Sequence, residues 1–298
     1  MKTTTLPKFL GIAASLTLIP TGALKAQEAP NERFSIMLGG SMTGAGDIEY
    51  RGDDLGEVET SRFNIEGSYS IPLNESWMFE VGGVYDYLET DHNRGDSLIP
   101  ENLSSVALNL RAMWRVNDKW MVSASIAPGF YGDDEVDFSE ALNAPLMALA
   151  FWQKSESVRV AFGFRVDAFS DMPLIPVLGV NWKINSEWEL SLGLPKTELR
   201  YQWSDQLSLY GGLAMEGNSY AVDDSSLRTA SGKSLRDTYV SESEFRGLVG
   251  FEYKFNSGLK LGIEGGYAFG REFDYHEKNV KLEIDPGAFG AVSVSFAF

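Results

Sequence analysis

Runs of about ten residues in which apolar side chains strictly alternate with polar or small ones restrict this chain more than any other feature. From Trp77 to Tyr87 one face reads Trp77, Phe79, Val81, Gly83, Tyr85, Tyr87, and the other Met78, Glu80, Gly82, Val84, Asp86. The stretches 106–116, 244–255 and 259–269 repeat the pattern. Period two is the signature of an extended strand, so the chain is predicted to be all-β. About ten residues is also what a tilted strand needs to cross a bilayer. A soluble β-sandwich alternates too, and three further features decide between them.

The first is loop asymmetry. Short turns recur at 74–76, 117–119, 154–157, 185–187, 204–206 and 256–258. Between them lie longer polar connections at 45–58, 88–102, 131–145, 168–174, 217–242 and 270–287. Short turns on one rim and long loops on the other is the layout of an outer-membrane barrel. The second feature is tryptophan placement: Trp77, Trp114, Trp120, Trp152, Trp182, Trp188 and Trp203 all stand beside a short turn. Three of them close an Asn-x-x-Trp repeat, at Trp77, Trp120 and Trp188. Indole prefers the headgroup level, where its ring is buried and its N–H stays wet, so these seven are the candidate membrane girdle. The third is the C-terminus, where Val292, Val294, Phe296 and Phe298 alternate with small residues and the chain stops on an aromatic. That ending resembles the C-terminal strand signature of bacterial outer-membrane barrels, which implies that Phe296 and Phe298 signal to the barrel-insertion machinery.

These features predict a transmembrane antiparallel up-and-down β-barrel of about fourteen strands. They lie near 33–43, 60–71, 77–88, 103–116, 119–131, 145–153, 158–168, 175–184, 188–194, 198–203, 207–217, 244–255, 259–270 and 287–298. The two strands flanking Pro195 are short; twelve spanning strands, with that hairpin folded inward, is the alternative. Residues 1–26 read as a signal peptide, with Lys2 and Lys8, a largely apolar stretch Phe9–Leu24 and a small residue at Ala26, which leaves 27–298 as the barrel. The longest later apolar run, Ala144–Trp152, is far too short for a spanning helix. The expected location is therefore the bacterial outer membrane, with its lipids as partners.

Composition excludes several functions. The chain has 298 residues and a net charge of −17, which argues against nucleic acid as a partner because phosphate contact needs a basic face. Loss of Lys2, Lys8 and Lys25 with the signal takes −17 to −20. The absence of cysteine removes disulfides, thiolate metal sites and a cysteine nucleophile. With only His92 and His276, no multi-histidine metal centre and no cofactor are expected.

The polar strand faces carry ten bases and ten acids. Arg62, Arg111, Arg115, Arg159, Arg165, Lys183, Arg200, Arg246, Lys254 and Lys260 stand against Glu66, Glu80, Asp86, Asp167, Glu189, Glu198, Glu216, Glu244, Glu252 and Glu264. The lumen and constriction candidates among them are Arg62, Glu66, Glu80, Arg111, Arg115, Arg159, Arg165, Asp167, Glu189, Arg200, Arg246, Glu252 and Glu264. Opposed charges of this kind either set a transverse field in a water-filled pore or pair into a plugged interior. The acid excess falls in the long connections: Asp47, Glu49, Asp53, Asp54, Glu57 and Glu59 in one, Asp133, Asp134, Glu135, Asp137 and Glu140 in another. Such runs are either solvated loop surface or a place for divalent cations, though neither has EF-hand spacing.

Catalysis at an outer rim would use a histidine, and Asp91-His92 and His276-Glu277 each place a carboxylate beside one. No serine or paired-aspartate motif accompanies them, so no enzyme is expected. The stretches Pro176–Trp182, Trp188–Pro195 and Leu199–Tyr201 resemble the core of an uncharacterised, porin-like family of bacterial outer-membrane β-barrel proteins, a domain of unknown function. That resemblance implies a barrel and its location, with no assigned substrate or catalytic residue. The functional expectation is a passive channel for small hydrophilic solutes; the alternative is a structural or adhesion barrel acting through its acidic loops.

Overall fold

The computed structural model describes residues 33–93, 98–224, 226–229, 232–256 and 258–298, so the expected signal segment lies outside the described residues. Fourteen antiparallel strands form the wall: β1 Phe34–Tyr50, β2 Asp53–Pro72, β3 Trp77–His92, β4 Asn102–Asn117, β5 120–132, β6 142–153, β7 Val158–Val166, β8 Leu174–Lys183, β9 Trp188–Gly193, β10 Lys196–Gln202, β11 Leu207–Val222, β12 Thr238–Lys254, β13 Leu259–Tyr275 and β14 280–297. Each pairs with its sequence neighbours, and β14 closes the ring on β1 from Ser35↔Ala297 to Thr43↔Phe289. Phe34 and Phe298 exchange backbone hydrogen bonds at that seam and their rings lie 5.0 Å apart. Closure leaves no sheet edge around the ring as a whole, which is the condition for a β-structure to sit in lipid.

The short β9–β10 hairpin belongs to the wall, because β9 pairs with β8 and β10 with β11. This removes the twelve-strand alternative. Six short turns fall at one end and seven connections at the other, as the loop asymmetry requires.

Several expected loops are strand. Residues 45–58 form the end of β1 and the start of β2, joined by Arg51-Gly52, both at positive φ, as a two-residue hairpin turn needs. Much of 88–102, 217–242 and 270–287 likewise continues the strands, as far as His92, Val222 and Tyr275 and from Thr238 and Val280. In these extensions the alternation inverts: Phe273, Tyr275, Val280, Leu282 and Ile284 are buried and alternate with Glu272, Asp274, Lys281 and Glu283, whereas in the lower strands the apolar residues are the outward ones.

The Asn-x-x-Trp repeat has a local cause. Asn74, Asn117 and Asn185 each accept two backbone N–H bonds through Oδ1, from Ser76 and Trp77, Lys119 and Trp120, and Glu187 and Trp188, at 2.8–3.1 Å. Each turn is thereby closed by its own side chain and delivers a tryptophan to the first position of the next strand. Trp77 stacks on Trp114 at 5.5 Å and Trp120 on Trp152 at 6.0 Å, while Trp188 lies tilted against Tyr201 at 4.7 Å.

Five neighbouring strands depart from regular strand geometry at one height. In β11 the break is Gly217 (φ 153), opposite Ser243; in β12 it is the bulge between Ser243 and Phe245. In β13 it is Gly270 (φ 57), in β14 the interruption at Asp285-Pro286, and in β1 the shift between Thr43 and Gly46. Bulges bend a strand and increase its twist. Above this line the β11–β12 hairpin leans across the mouth until Ala221 makes a parallel bridge with Gly132 at the end of β5.

Candidate functional site

The leaning hairpin makes the mouth at the long-loop end a packed core. Tyr220, Val240, Tyr275 and Leu282 from the upper strands meet Val58, Leu88 and Leu103 from the opposite wall, all buried. The connections add Ile99, Val136, Ala141, Phe169, Leu227 and Leu235, single apolar residues in otherwise polar segments. Burying each large side chain contributes about 1.5–3 kcal/mol, so the cap holds itself closed.

Polar contacts fix the cap to the far wall. Tyr220 Oη donates to Asp86 Oδ1 at 3.1 Å, Tyr275 Oη to the Leu98 carbonyl at 2.8 Å, and Arg62 pairs with Glu242 at 2.5 Å. Asp133 is the organiser of the connections. Its Oδ1 accepts the N–H groups of Glu135 and Val136, and its Oδ2 those of Asp223 and Asp224, at 2.8–3.2 Å. Burial pushes the Asp133 carboxyl up from its ordinary value against the pull of these four donors. The acidic run 132–140 is therefore not all solvated surface: Asp133 faces in, while Asp134, Glu135, Asp137 and Glu140 face out. Among the described residues no group of three or more His, Cys, Asp or Glu side chains converges as a cation site.

Beneath the cap lies a layer of ion pairs. Arg62 also approaches Asp86 at 3.7 Å. Arg246 pairs with Glu244 at 2.6 Å and Glu216 at 3.3 Å, and its guanidinium lies 4.7 Å from the Phe289 ring. Arg271, absent from the expected set, donates to the Gly44 and Asp285 carbonyls at 3.2 Å and pairs with Glu244 at 3.5 Å. It satisfies carbonyls that the break line takes out of the ladder.

The remaining expected lumen residues pair locally. Glu80 holds Arg111 at 3.0 Å, with Glu66 beside them. Arg165 holds Asp167 at 2.7 Å, and Asn143 donates to the same carboxylate. Arg159 donates to Gln153 at 2.8 Å and Asn181 to Glu189 at 2.7 Å. Arg200 bridges Glu198 at 2.8 Å and Glu252 at 3.6 Å, while Glu264 takes Lys196 at 3.5 Å and the Tyr210 hydroxyl at 3.2 Å. Arg115 is exposed at the short-turn end. Acid and base thus sit side by side, and they do not form two walls of opposite sign.

One part of the inner wall is apolar. Leu149, Phe151 and Val177 are buried with Met121, Met147 and Ala161, and Ile175 with Met147 and Met172. Sequence reasoning missed this patch because 146–152 is apolar on both faces and so shows no alternation. His92 Nε2 lies 3.1 Å from the Ile99 carbonyl, and His276 stacks on Tyr239 at 6.4 Å. The tryptophans stand at the short-turn end, with Trp77, Trp114, Trp182, Trp188 and Trp203 exposed. Phe298 is exposed at the seam.

The family model described as Domain of unknown function (DUF6268) matches residues 47–284. The chain belongs to that family. No curated protein sequence matches this chain. Among solved structures the fold is similar to a deltaS2 mutant of the TodX monoaromatic hydrocarbon channel, at 12% identity, TM-score 0.53 and 91% coverage of both chains. It is also similar to a FadL homologue of Pseudomonas aeruginosa, at 12% identity and TM-score 0.50 over 90% of this chain and 91% of that one. A third is an outer membrane channel of Pseudomonas putida F1, at 14% identity and TM-score 0.50 over 91% and 97%. This DUF6268 protein therefore has the fold of an outer-membrane channel-like barrel. Among its described residues no helix is long and apolar enough to cross a membrane.

Proposed function

We propose that this barrel is an outer-membrane channel that is shut to ions at the long-loop mouth and carries small apolar or amphipathic molecules. The observation that carries the reading is the cap. Tyr220, Leu103, Leu227, Leu235, Val240, Tyr275 and Leu282 are fully buried in one continuous cluster across the mouth. A water-filled path through it would have to open a packed apolar core, while an apolar solute meets like surface there and on the β5–β8 inner wall. The monoaromatic hydrocarbon channel named above supports the same solute class.

A second reading keeps small hydrophilic solutes, favoured by the ion-paired lower lumen; it requires the cap to swing aside. The two separate in vesicles that carry the refolded protein. Uptake of an apolar fluorophore without swelling in a pentose solution supports the first. Swelling without fluorophore uptake would replace it with the second.

A further inference from the structure

The lower lumen carries a line of sulfur. Alternation on β3, β4 and β5 turns Trp77, Trp114 and Trp120 outward, and so turns Met78, Met113 and Met121 inward. Trp77 is opposite Trp114, and one residue further along Met78 is opposite Met113. Met113 is in turn opposite Ser123 on β5, which puts Met121 on the diagonal, two residues nearer the short turn. Met113 thus stands between two other thioethers, one on each neighbouring strand, and is only 4% exposed.

The ladder sets the spacing. Directly opposed residues on one face have Cβ atoms about 4.5–5.5 Å apart, and diagonal ones about 7–8 Å or slightly less. The methionine sulfur lies two bonds beyond Cβ on an unbranched, freely rotating stem. The sulfurs of Met78 and Met121 can therefore meet that of Met113 on one ion held over it.

Apolarity alone does not account for the choice of methionine. The lipid face needs apolar side chains just as much, yet it uses leucine, valine, isoleucine and aromatics. Among the described residues, Met42 is the one methionine with an exposed side chain there. Inward strand positions carry Met37, Met78, Met113, Met121 and Met147. What methionine adds over leucine is a soft, polarizable sulfur. Met147 belongs to the apolar patch with Leu149 and Ile175. Met78 and Met113 stand beside charge instead, since the next inward pair up the same two strands is Glu80 and Arg111, joined at 3.0 Å.

These surroundings also select the ion. Thioethers suit soft Cu(I), whereas Mg²⁺ and Ca²⁺ require oxygen ligands. The chain has no cysteine, and His92 and His276 both lie at the long-loop end, so thioether is the soft donor the lower lumen offers. The nearest inward carboxylate on β3, Glu80, is already engaged by Arg111. Neutral ligands beside a paired carboxylate suit a monocation, because the larger charge of a dication would stay uncompensated there. An ion entering from the short-turn end reaches these residues without passing the cap.

We propose that Met78, Met113 and Met121 form a thioether site in the lower lumen for a soft monovalent cation, Cu(I) or Ag(I). The site is independent of the solute that the channel carries.

Ag(I) is the probe, since it needs no reductant. The refolded protein in detergent micelles and chloride-free buffer is titrated with silver nitrate by calorimetry, and the loaded protein is examined by X-ray absorption. The wild type should take up one tight equivalent with sulfur neighbours around the metal, and excess Ca²⁺ should not displace it. Met113→Leu keeps the position apolar at nearly constant volume and should abolish both the binding and the sulfur signal. The double variant Met78→Leu/Met121→Leu should do the same, and it decides the question if Met113→Leu does not fold. Met42→Leu, on the lipid face, should change neither. Tight binding that survives these inward replacements, is lost equally in Met42→Leu, or shows only oxygen and nitrogen neighbours overturns the site. So does a wild type with no tight equivalent.

Discussion

Tyr220 on β11 donates its hydroxyl proton to Asp86 on β3 at 3.1 Å, across the lumen. Along the wall, β2, β1, β14, β13 and β12 separate the two strands. A contact of this kind needs one side of the barrel to fold over the other. Asp86 is buried, and its Oδ2 has no hydrogen-bond partner, so Tyr220 and Arg62 carry the whole of its compensation. Tyr220→Phe should weaken the closed cap by about 1–3 kcal/mol, the cost of leaving a buried acceptor short of a donor. Amide hydrogen exchange should quicken in 216–222 and 238–244 and stay unchanged in 207–213. Uniform quickening along β11 would mean that the bond serves the barrel as a whole.

Gly217 sets the bend. A Cβ at this position would meet the Glu242 carbonyl oxygen at 2.3 Å and Ser243 Cα at 2.9 Å, and φ is already 153°. Gly217→Val should therefore cost the bent hairpin about 1–3 kcal/mol, the usual scale of such backbone strain. The expected readout is brief ion-conducting openings in a variant whose barrel still shows heat-dependent gel mobility. A quiet variant of normal stability would show that the bend does not depend on this glycine.

Arg271 staples the break line to its neighbours. Replacing it with methionine removes the donors to the Gly44 and Asp285 carbonyls and leaves Glu244 with Arg246 alone. Breaking a buried ion pair in this way costs about 3–5 kcal/mol. Equilibrium urea unfolding in lipid vesicles should register that loss. Arg271→Lys should recover only part of it, since an ammonium cannot reach several carbonyls in the fixed planar fork of a guanidinium. Full recovery by lysine would reduce the role of Arg271 to its charge.

Much of the barrel was legible because lipid and water impose opposite demands on the two faces of a strand. The fourteen strands, the six short turns and the tryptophans at their ends follow from that demand and from Asn74, Asn117 and Asn185 closing their turns. The cap was not legible. Ile99, Val136, Leu227 and Leu235 are isolated apolar residues in polar segments, and only their convergence in space makes them a core. Such residues at intervals in long loops are the one sequence signal that could have pointed to it. Arg271 was missed for a related reason: it lay in a stretch read as loop, though it faces inward on β13. The inward charges were identifiable by parity, but whether they pair locally or across a pore depends on rotamers that alternation does not encode.

The asparagine turns can be tested separately from the cap. Asn185→Ala removes the acceptor for the Glu187 and Trp188 N–H groups. Because the turn is exposed and water can replace the side chain, the loss should be about 1 kcal/mol in urea unfolding. Ion conductance and apolar uptake should not change. An effect on either would tie this rim to gating.

The cap is tested most directly by single-channel recording in planar bilayers. Refolded wild-type protein is compared with a variant in which residues 223–237 are replaced by a short Gly-Ser linker and Tyr220 by alanine. The wild type should insert silently, with no steady ionic current, and the variant should show discrete ohmic steps. A wild-type conductance as large as that of the variant would contradict closure of the mouth by the β11–β12 hairpin.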